Sequence, residues 1–184
     1  LAPADESKSA RRASTATAFR TRHPGTPPYA LALELGRAFA RRGAEVRCGG
    51  YGGAMEAVSR GAREAGGRVV GCTLAWEGET RRANPYLSEE IPCASLEARL
   101  AALLAGTGAA VVLPGGVGTL NEMFWVWTLL LHGRDADRAL VLLGDSYGEF
   151  LEFLGRRFEV DSRVRALVHV TGTVEEAVSA ACGT

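Results

Sequence analysis

Short apolar runs alternate along the chain with longer stretches in which every third or fourth position is apolar. Arg68–Leu74, Ala109–Leu113, Ala139–Leu143 and Leu167–Val170 are runs of the first kind and predict strands, and Glu45–Cys48 predicts a further short strand. Ala13–Phe19, rich in threonine, predicts a weaker first strand. Pro27-Pro28 opens a helix to about Arg42 that sets Tyr29, Leu31, Leu35 and Phe39 on one side. Proline suits its first turn, and Gly43 suits its end. Ala54–Ala65, Ser95–Ala105, Thr119–Leu131, Tyr147–Arg157 and Val174–Ala181 predict five more helices. The polar stretch Ala75–Glu90 reads as a loop. Strands that alternate with helices in this way imply an α/β fold, a doubly wound and mostly parallel Rossmann-like sheet with helices on both faces. Residues 14–184 are expected to form it as a single domain, with residues 1–13 as a polar, disordered tail.

Two of the strands run into glycine. Gly49-Gly50-Tyr51-Gly52-Gly53 follows one, and Pro114-Gly115-Gly116-Val117-Gly118-Thr119-Leu120-Asn121-Glu122 follows another. In a parallel sheet both loops fall at the carboxyl end, where ligands of such folds bind. Glycine lets the backbone approach a ligand, and the first N–H groups of the following helix point at an anion. Each loop also has a purely structural reading. The first could be a tight turn. In the second, Thr119 and Glu122 match a capping box, T-x-x-E, in which Glu122 would do no more than satisfy a backbone N–H. No GK[ST] follows either loop, and the strand Arg68–Leu74 carries no terminal acid, so neither a Walker loop nor a dinucleotide fingerprint is present.

Composition narrows the chemistry. Twenty-one basic side chains balance twenty-one acidic ones, so nothing suggests a general attraction to nucleic acid or to a membrane. No apolar run approaches the roughly 18 residues of a membrane span, and the polar start lacks the apolar middle of a signal peptide. The expected location is the cytoplasm. Cys48, Cys72, Cys93 and Cys182 are too scattered for a metal template, as are His23, His132 and His169, and no metal or cofactor is expected. The only lysine is Lys8, which leaves no buried amine for a pyridoxal phosphate Schiff base.

The segments Gly49–Val70 and Arg99–Met123 resemble the LOG family, cytokinin-activating phosphoribohydrolases often mislabelled lysine decarboxylases. The family pattern PGGxGTxxE is matched by Pro114 to Glu122, and its preceding helical arginine by Arg99. The pattern GGGxxGLMG corresponds to Gly49 to Glu56, and a later glycine pair to Gly66-Gly67. The similarity runs over most of residues 14–181. It implies cleavage of the N-glycosidic bond of an AMP-like nucleoside 5′-monophosphate, with Arg99 and Glu122 as the catalytic pair. It also implies substrate or phosphate contacts from Gly49, Gly50, Gly52, Gly53, Gly115, Gly116, Val117, Gly118 and Thr119. Arg99 would otherwise read as a surface ion pair with Glu97 or Asp145.

The chain departs from the family in four places. Phe19-Arg20-Thr21-Arg22 stands where the family has CGSS, with Thr21 the substitute hydroxyl. Leu100 replaces a lysine, Glu56 replaces a glycine, and the loop Thr73–Glu90 is long. These departures keep a second reading open, a non-catalytic carrier of nucleotide or molybdenum cofactor on the same fold. Trp76 in the long loop could stack on a base or pack on its own domain. The helix after Glu122, with Trp125, Trp127 and Leu129 to Leu131, is apolar nearly all round and is either central to the monomer or covered by a partner, as in the family's typical homodimers.

Overall fold

In the computed structural model, residues 13–17, 24–134 and 136–183 are described. The chain runs β1 (Ala13–Thr17), α1 (Pro27–Arg41), β2 (Val46–Cys48), α2 (Ala54–Glu64), β3 (Val69–Leu74), β4 (Glu89–Cys93), α3 (Leu96–Leu104), β5 (Thr107–Val112), α4 (Val117–Leu131), β6 (Ala139–Leu143), α5 (Ser146–Arg157), α6 (Ser162–Arg165), β7 (Val168–Thr171) and α7 (Val174–Cys182). Seven strands form one sheet in the order β4-β3-β2-β1-β5-β6-β7, with every pairing parallel. This is the expected doubly wound α/β architecture.

The continuous apolar runs follow from burial on both faces. In β5, Ala109 and Val111 join one core while Ala110 and Val112 join the other. In β6, Val141 and Leu143 divide from Leu140 and Leu142 in the same way. The first core also holds residues of α1, α2 and α7, and the second holds residues of α4 and α5.

Helices α1 and α2 cross at near-backbone contact. A Cβ on Gly36 would overlap the carbonyl oxygen of Val58, and one on Gly61 would overlap that of Leu33.

Two elements differ from the sequence expectation. Residues 89–93 lie in the stretch read as loop and its margin, yet they form the edge strand β4. Its sequence, Glu-Glu-Ile-Pro-Cys, is poor in strand formers, and an edge position tolerates both proline and charge. The strand is held by the β3 ladder and by Glu90, which accepts from Thr73 Oγ1 at 2.7 Å. The short helix α6 is capped by Asp161, which accepts from the N–H groups of Arg163 and Val164. The first strand ends at Thr17, and residues 1–12 and 18–23, the latter including Phe19 and Thr21, lie outside the described residues.

The crossing of α1 and α2 generates a stability prediction. Gly61→Val should lower stability by about 3 kcal/mol, because the added atoms meet backbone that cannot move independently. Gly148 in α5 has open space around it, so Gly148→Ala should be neutral or stabilising by up to about 0.5 kcal/mol. Thermal unfolding of the two variants checks both signs.

Candidate active site

Three chain segments deliver the site to the carboxyl edge of the sheet. The segment after β2 brings residues 49–53. The β4 edge strand leads into α3, and Ser95 caps that helix by accepting from the Ala98 N–H at 3.2 Å. This places Arg99 in the first turns of α3. The segment after β5 brings Pro114, Gly115 and Gly116, and α4 begins at Val117 with Gly116 as its cap residue.

Arg99 and Glu122, 23 positions apart, meet here. Nη1 of Arg99 donates to Oε1 of Glu122 at 2.9 Å, and Nε donates to the carbonyl oxygen of Cys72 at 2.7 Å. The two side chains keep 13% and 15% of their surface exposed, so the pair is largely shielded from water yet still reachable. A shielded ion pair is tolerated when its remaining donors are satisfied, and the Cys72 carbonyl satisfies one. The alternatives of a surface pair with Glu97 or Asp145 do not describe Arg99.

The capping-box expectation for Thr119 and Glu122 fails. The cap position falls at Gly116, three residues earlier than the pattern predicts, so Thr119 is the third residue of the helix and is buried, and the cap residue makes no side-chain cap bond. Glu122 therefore sits in the second turn, bonded to Arg99. Among the described residues, both bonds of a capping box are made at Thr173 and Glu176, at the start of α7.

The end of α4 has the features of an anion seat. Leu120 N–H is the first to bond back along the helix, to Gly116, and no acidic residue occupies the first turn. Gly115, Val117 and Gly118 are exposed and Gly116 is half-buried. The loop is anchored from behind by Tyr147, whose hydroxyl donates to the Leu113 carbonyl at 2.8 Å. Pro114 rests on Gly144, where a Cβ would come within 2.9 Å of its ring.

The first glycine loop is fixed from the other side. Gly50, at φ +75°, lies against Gly71 and Thr73, and its carbonyl accepts from the Asn84 N–H at 2.8 Å. The Asn84 amide donates to the Tyr51 carbonyl at 3.1 Å. The Tyr51 hydroxyl accepts from the Leu74 N–H at 2.7 Å, and the Arg81 guanidinium stacks 4.0 Å over the Tyr51 ring. Arg81 is in turn bonded to Glu79. Residues 75–88 are therefore an ordered strap locked onto the loop, and Trp76 on it is 44% exposed. Gly52 and Gly53 lead into α2, and Glu56 lies in its first turn.

Burial pushes up the thiols of Cys48 and Cys72, the latter to about 12, so neither serves as a thiolate nucleophile. Among the described residues no cluster of three or more His, Cys, Asp or Glu could hold a metal, and no helix is long and apolar enough to cross a membrane.

The sequence carries no signal for the roles of the Cys72 carbonyl, Tyr51, Asn84 and Tyr147. A backbone acceptor leaves no residue signature. Asn84 lies in the stretch that reads only as a loop, and nothing in the sequence marks it as a clamp.

The model of the family described as "possible lysine decarboxylase" matches residues 55–181. The chain belongs to this family, the LOG family that its motifs resemble. It is 37% identical over 121 residues to the cytokinin riboside 5′-monophosphate phosphoribohydrolase of Mycobacterium tuberculosis, covering 65% of this chain and 64% of that protein. It is 29% identical over 122 residues to the pyrimidine/purine nucleotide 5′-monophosphate nucleosidase of Escherichia coli K12, covering 62% of this chain and 27% of that protein. The chain thus spans less than two thirds of the length of these relatives. Among solved structures, the molybdenum cofactor carrier protein of Chlamydomonas reinhardtii shares the family's fold at a TM-score of 0.65 and 26% identity, covering 92% of this chain and 95% of that one.

The strap generates a pH prediction. Hydrogen bonds from Arg81, side chain first and then backbone, lower the Glu79 carboxyl from its usual 4.5 to about 2. A group depressed in the folded state contributes stability above its unfolded value and loses it as pH falls through the folded one. The melting temperature of Glu79→Gln should fall furthest below wild type above pH 4.5. The gap should shrink steadily from there toward pH 2, as followed by thermal melts across that range.

Proposed function

We propose that this protein hydrolyses the N-glycosidic bond of a nucleoside 5′-monophosphate, releasing free base and ribose 5-phosphate. The observation that carries the reading is the shielded Arg99–Glu122 pair at 2.9 Å beside the uncapped N-terminus of α4. The names of the mycobacterial and Escherichia coli relatives support the same class of chemistry.

The 5′-phosphate sits on the N–H groups of Val117, Gly118 and Thr119, after the turn of Gly115 and Gly116, where the helix dipole favours negative charge. That contact fixes the ribose over Glu122. The loop of Gly49, Gly50, Gly52 and Gly53 and the hydroxyl of Thr21 complete the proposed contacts. As the C1′–N bond breaks, its electron pair leaves with the base and the sugar becomes oxocarbenium-like. The Glu122 carboxylate lies where that positive charge develops and orients the water that adds to C1′. A proton from that water balances the departing base. Arg99 holds the carboxylate in place.

The substrate is a small nucleotide, neither a nucleic acid nor a membrane surface, and the reaction as proposed uses no cofactor. The cytoplasm is the proposed location, which suits the free thiols of all four cysteines.

The second reading is a carrier of nucleotide or molybdenum cofactor, favoured by the likeness to the algal carrier structure. One assay separates the two. Incubation with AMP and with isopentenyladenosine monophosphate should release free base, detected by chromatography. Glu122→Gln should reduce release by about a thousandfold or more while nucleotide binding changes little. Binding without release by the wild-type protein at high concentration would sink the hydrolase and leave the carrier.

We also propose a homodimer built on α4. Trp127 and Met123 are buried, but Phe124, Trp125 and Leu131 stay 40–53% exposed, together with Val117. One face of an apolar helix is thus uncovered in the single chain. Sedimentation should find a dimer, and Trp125→Asp should convert it to a folded monomer. A monomeric wild-type protein at micromolar concentration would refute this.

A further inference from the structure

We propose that Gly49 is the seat of the Arg99 guanidinium and therefore a positioning residue for the reaction: its missing side chain is what lets Arg99 lie against Glu122. The kinetic part of this proposal rests on the hydrolase reading above, and the structural part does not.

A turn does not explain this glycine. Gly50 and Gly53 adopt positive φ and Gly49 does not, so any L-residue could adopt its backbone conformation. Space explains it. A Cβ at Gly49 would overlap Nη2 of Arg99, lie 3.3 Å from its central carbon, and come within 2.6 Å of Met55 Sδ.

The guanidinium cannot step aside without loss. Its Nε is committed to the Cys72 carbonyl at 2.7 Å and its Nη1 to Glu122 at 2.9 Å, so the planar group is pinned along two directions. The loop cannot retreat either. Gly50 already rests on β3, where its own Cβ would meet Thr73 Cγ2 at 2.9 Å and Gly71 Cα at 3.2 Å. Asn84 holds the carbonyls of Gly50 and Tyr51 from above. A methyl group at position 49 therefore displaces the arginine or the Met55 thioether. The thioether is flexible and can yield, but its movement leaves the overlap with Nη2 in place.

The proposal is tested with wild type, Gly49→Ala, Arg99→Ala, Gly49→Ala/Arg99→Ala and Gly49→Ala/Met55→Ala. The first measurement needs no substrate. In ¹⁵N NMR the Arg99 Nε–H signal, assigned by its loss in Arg99→Ala, should exchange slowly in the wild type and lose that protection in Gly49→Ala. The second measurement is kinetic. Gly49→Ala should lower kcat for base release by about a hundredfold, as misplacement of a catalytic group by about 1 Å does, with KM changed less than about threefold. In the Arg99→Ala background the same substitution should change kcat less than about twofold, because residues acting as one unit are not additive.

An Nε–H that stays protected in Gly49→Ala, additive losses in the double variant, or restoration by Met55→Ala would each overturn the proposal. If Gly49→Ala does not fold, the Arg99→Ala background decides. The substitution is tolerated there if the arginine is the obstacle, and unfolding in both backgrounds overturns the proposal. A wild type that releases no base refutes the hydrolase while leaving the NMR result to judge Gly49.

Discussion

A guanidinium held at once by a strand carbonyl, a carboxylate and a side-chain-free backbone is the constraint around which the carboxyl edge of this sheet is arranged. Arg99 comes from α3, the carbonyl from Cys72 in β3, the carboxylate from Glu122 in α4 and the empty space from Gly49 after β2. Shielding an ion pair from water costs free energy that its Coulomb attraction only partly returns. A pair of this kind adds little to stability, and it is retained where an oriented charge is wanted. Here it fixes the carboxylate beside a helix N-terminus that carries no acidic residue of its own.

Sheet topology makes the convergence achievable. The connection from β4 to β5 passes the intervening β3, β2 and β1, and α3 is the element that makes the crossing. Its first turns start at the carboxyl end of the edge strand, which is why Arg99 arrives over β3 and next to β2. The chain then returns through β5 and leaves through α4, bringing Glu122 to the same place. β1 and β5 are neighbours whose successors run to opposite sides of the sheet, which is the topological position where folds of this class bind ligands.

Rigidity is supplied by groups outside the Arg99–Glu122 pair. Tyr147 and Gly144 steady the second glycine loop from behind. Asn84, Tyr51, Arg81 and Glu79 lock the long strap onto the first. The hydrogen bonds among these are buried or half-buried with partners in place, the condition under which such networks hold a site to one geometry. The length of the strap, a departure from the family pattern, is therefore ordered structure, and it leaves Trp76 at the surface.

The sequence alone determined the fold class, because runs such as Ala109–Leu113 and Ala139–Leu143 are apolar on both alternating faces and only a sheet covered on both sides accepts them. It also determined which residues were candidates, since Pro114 to Glu122 and Arg99 stand in a recognisable pattern. It did not show β4, whose Glu-Glu-Ile-Pro-Cys is poor in strand formers and pairs because β3 offers a free edge. Nor did it decide between capping and catalysis for Glu122. Both readings fit the four residues Thr119 to Glu122, and only a helix start at Val117 and an arginine 23 positions away separate them. Local spacing encodes local structure. The meeting of Arg99, Cys72, Gly49 and Glu122 depends on the order in which the strands pair, and that order is a property of the folded chain.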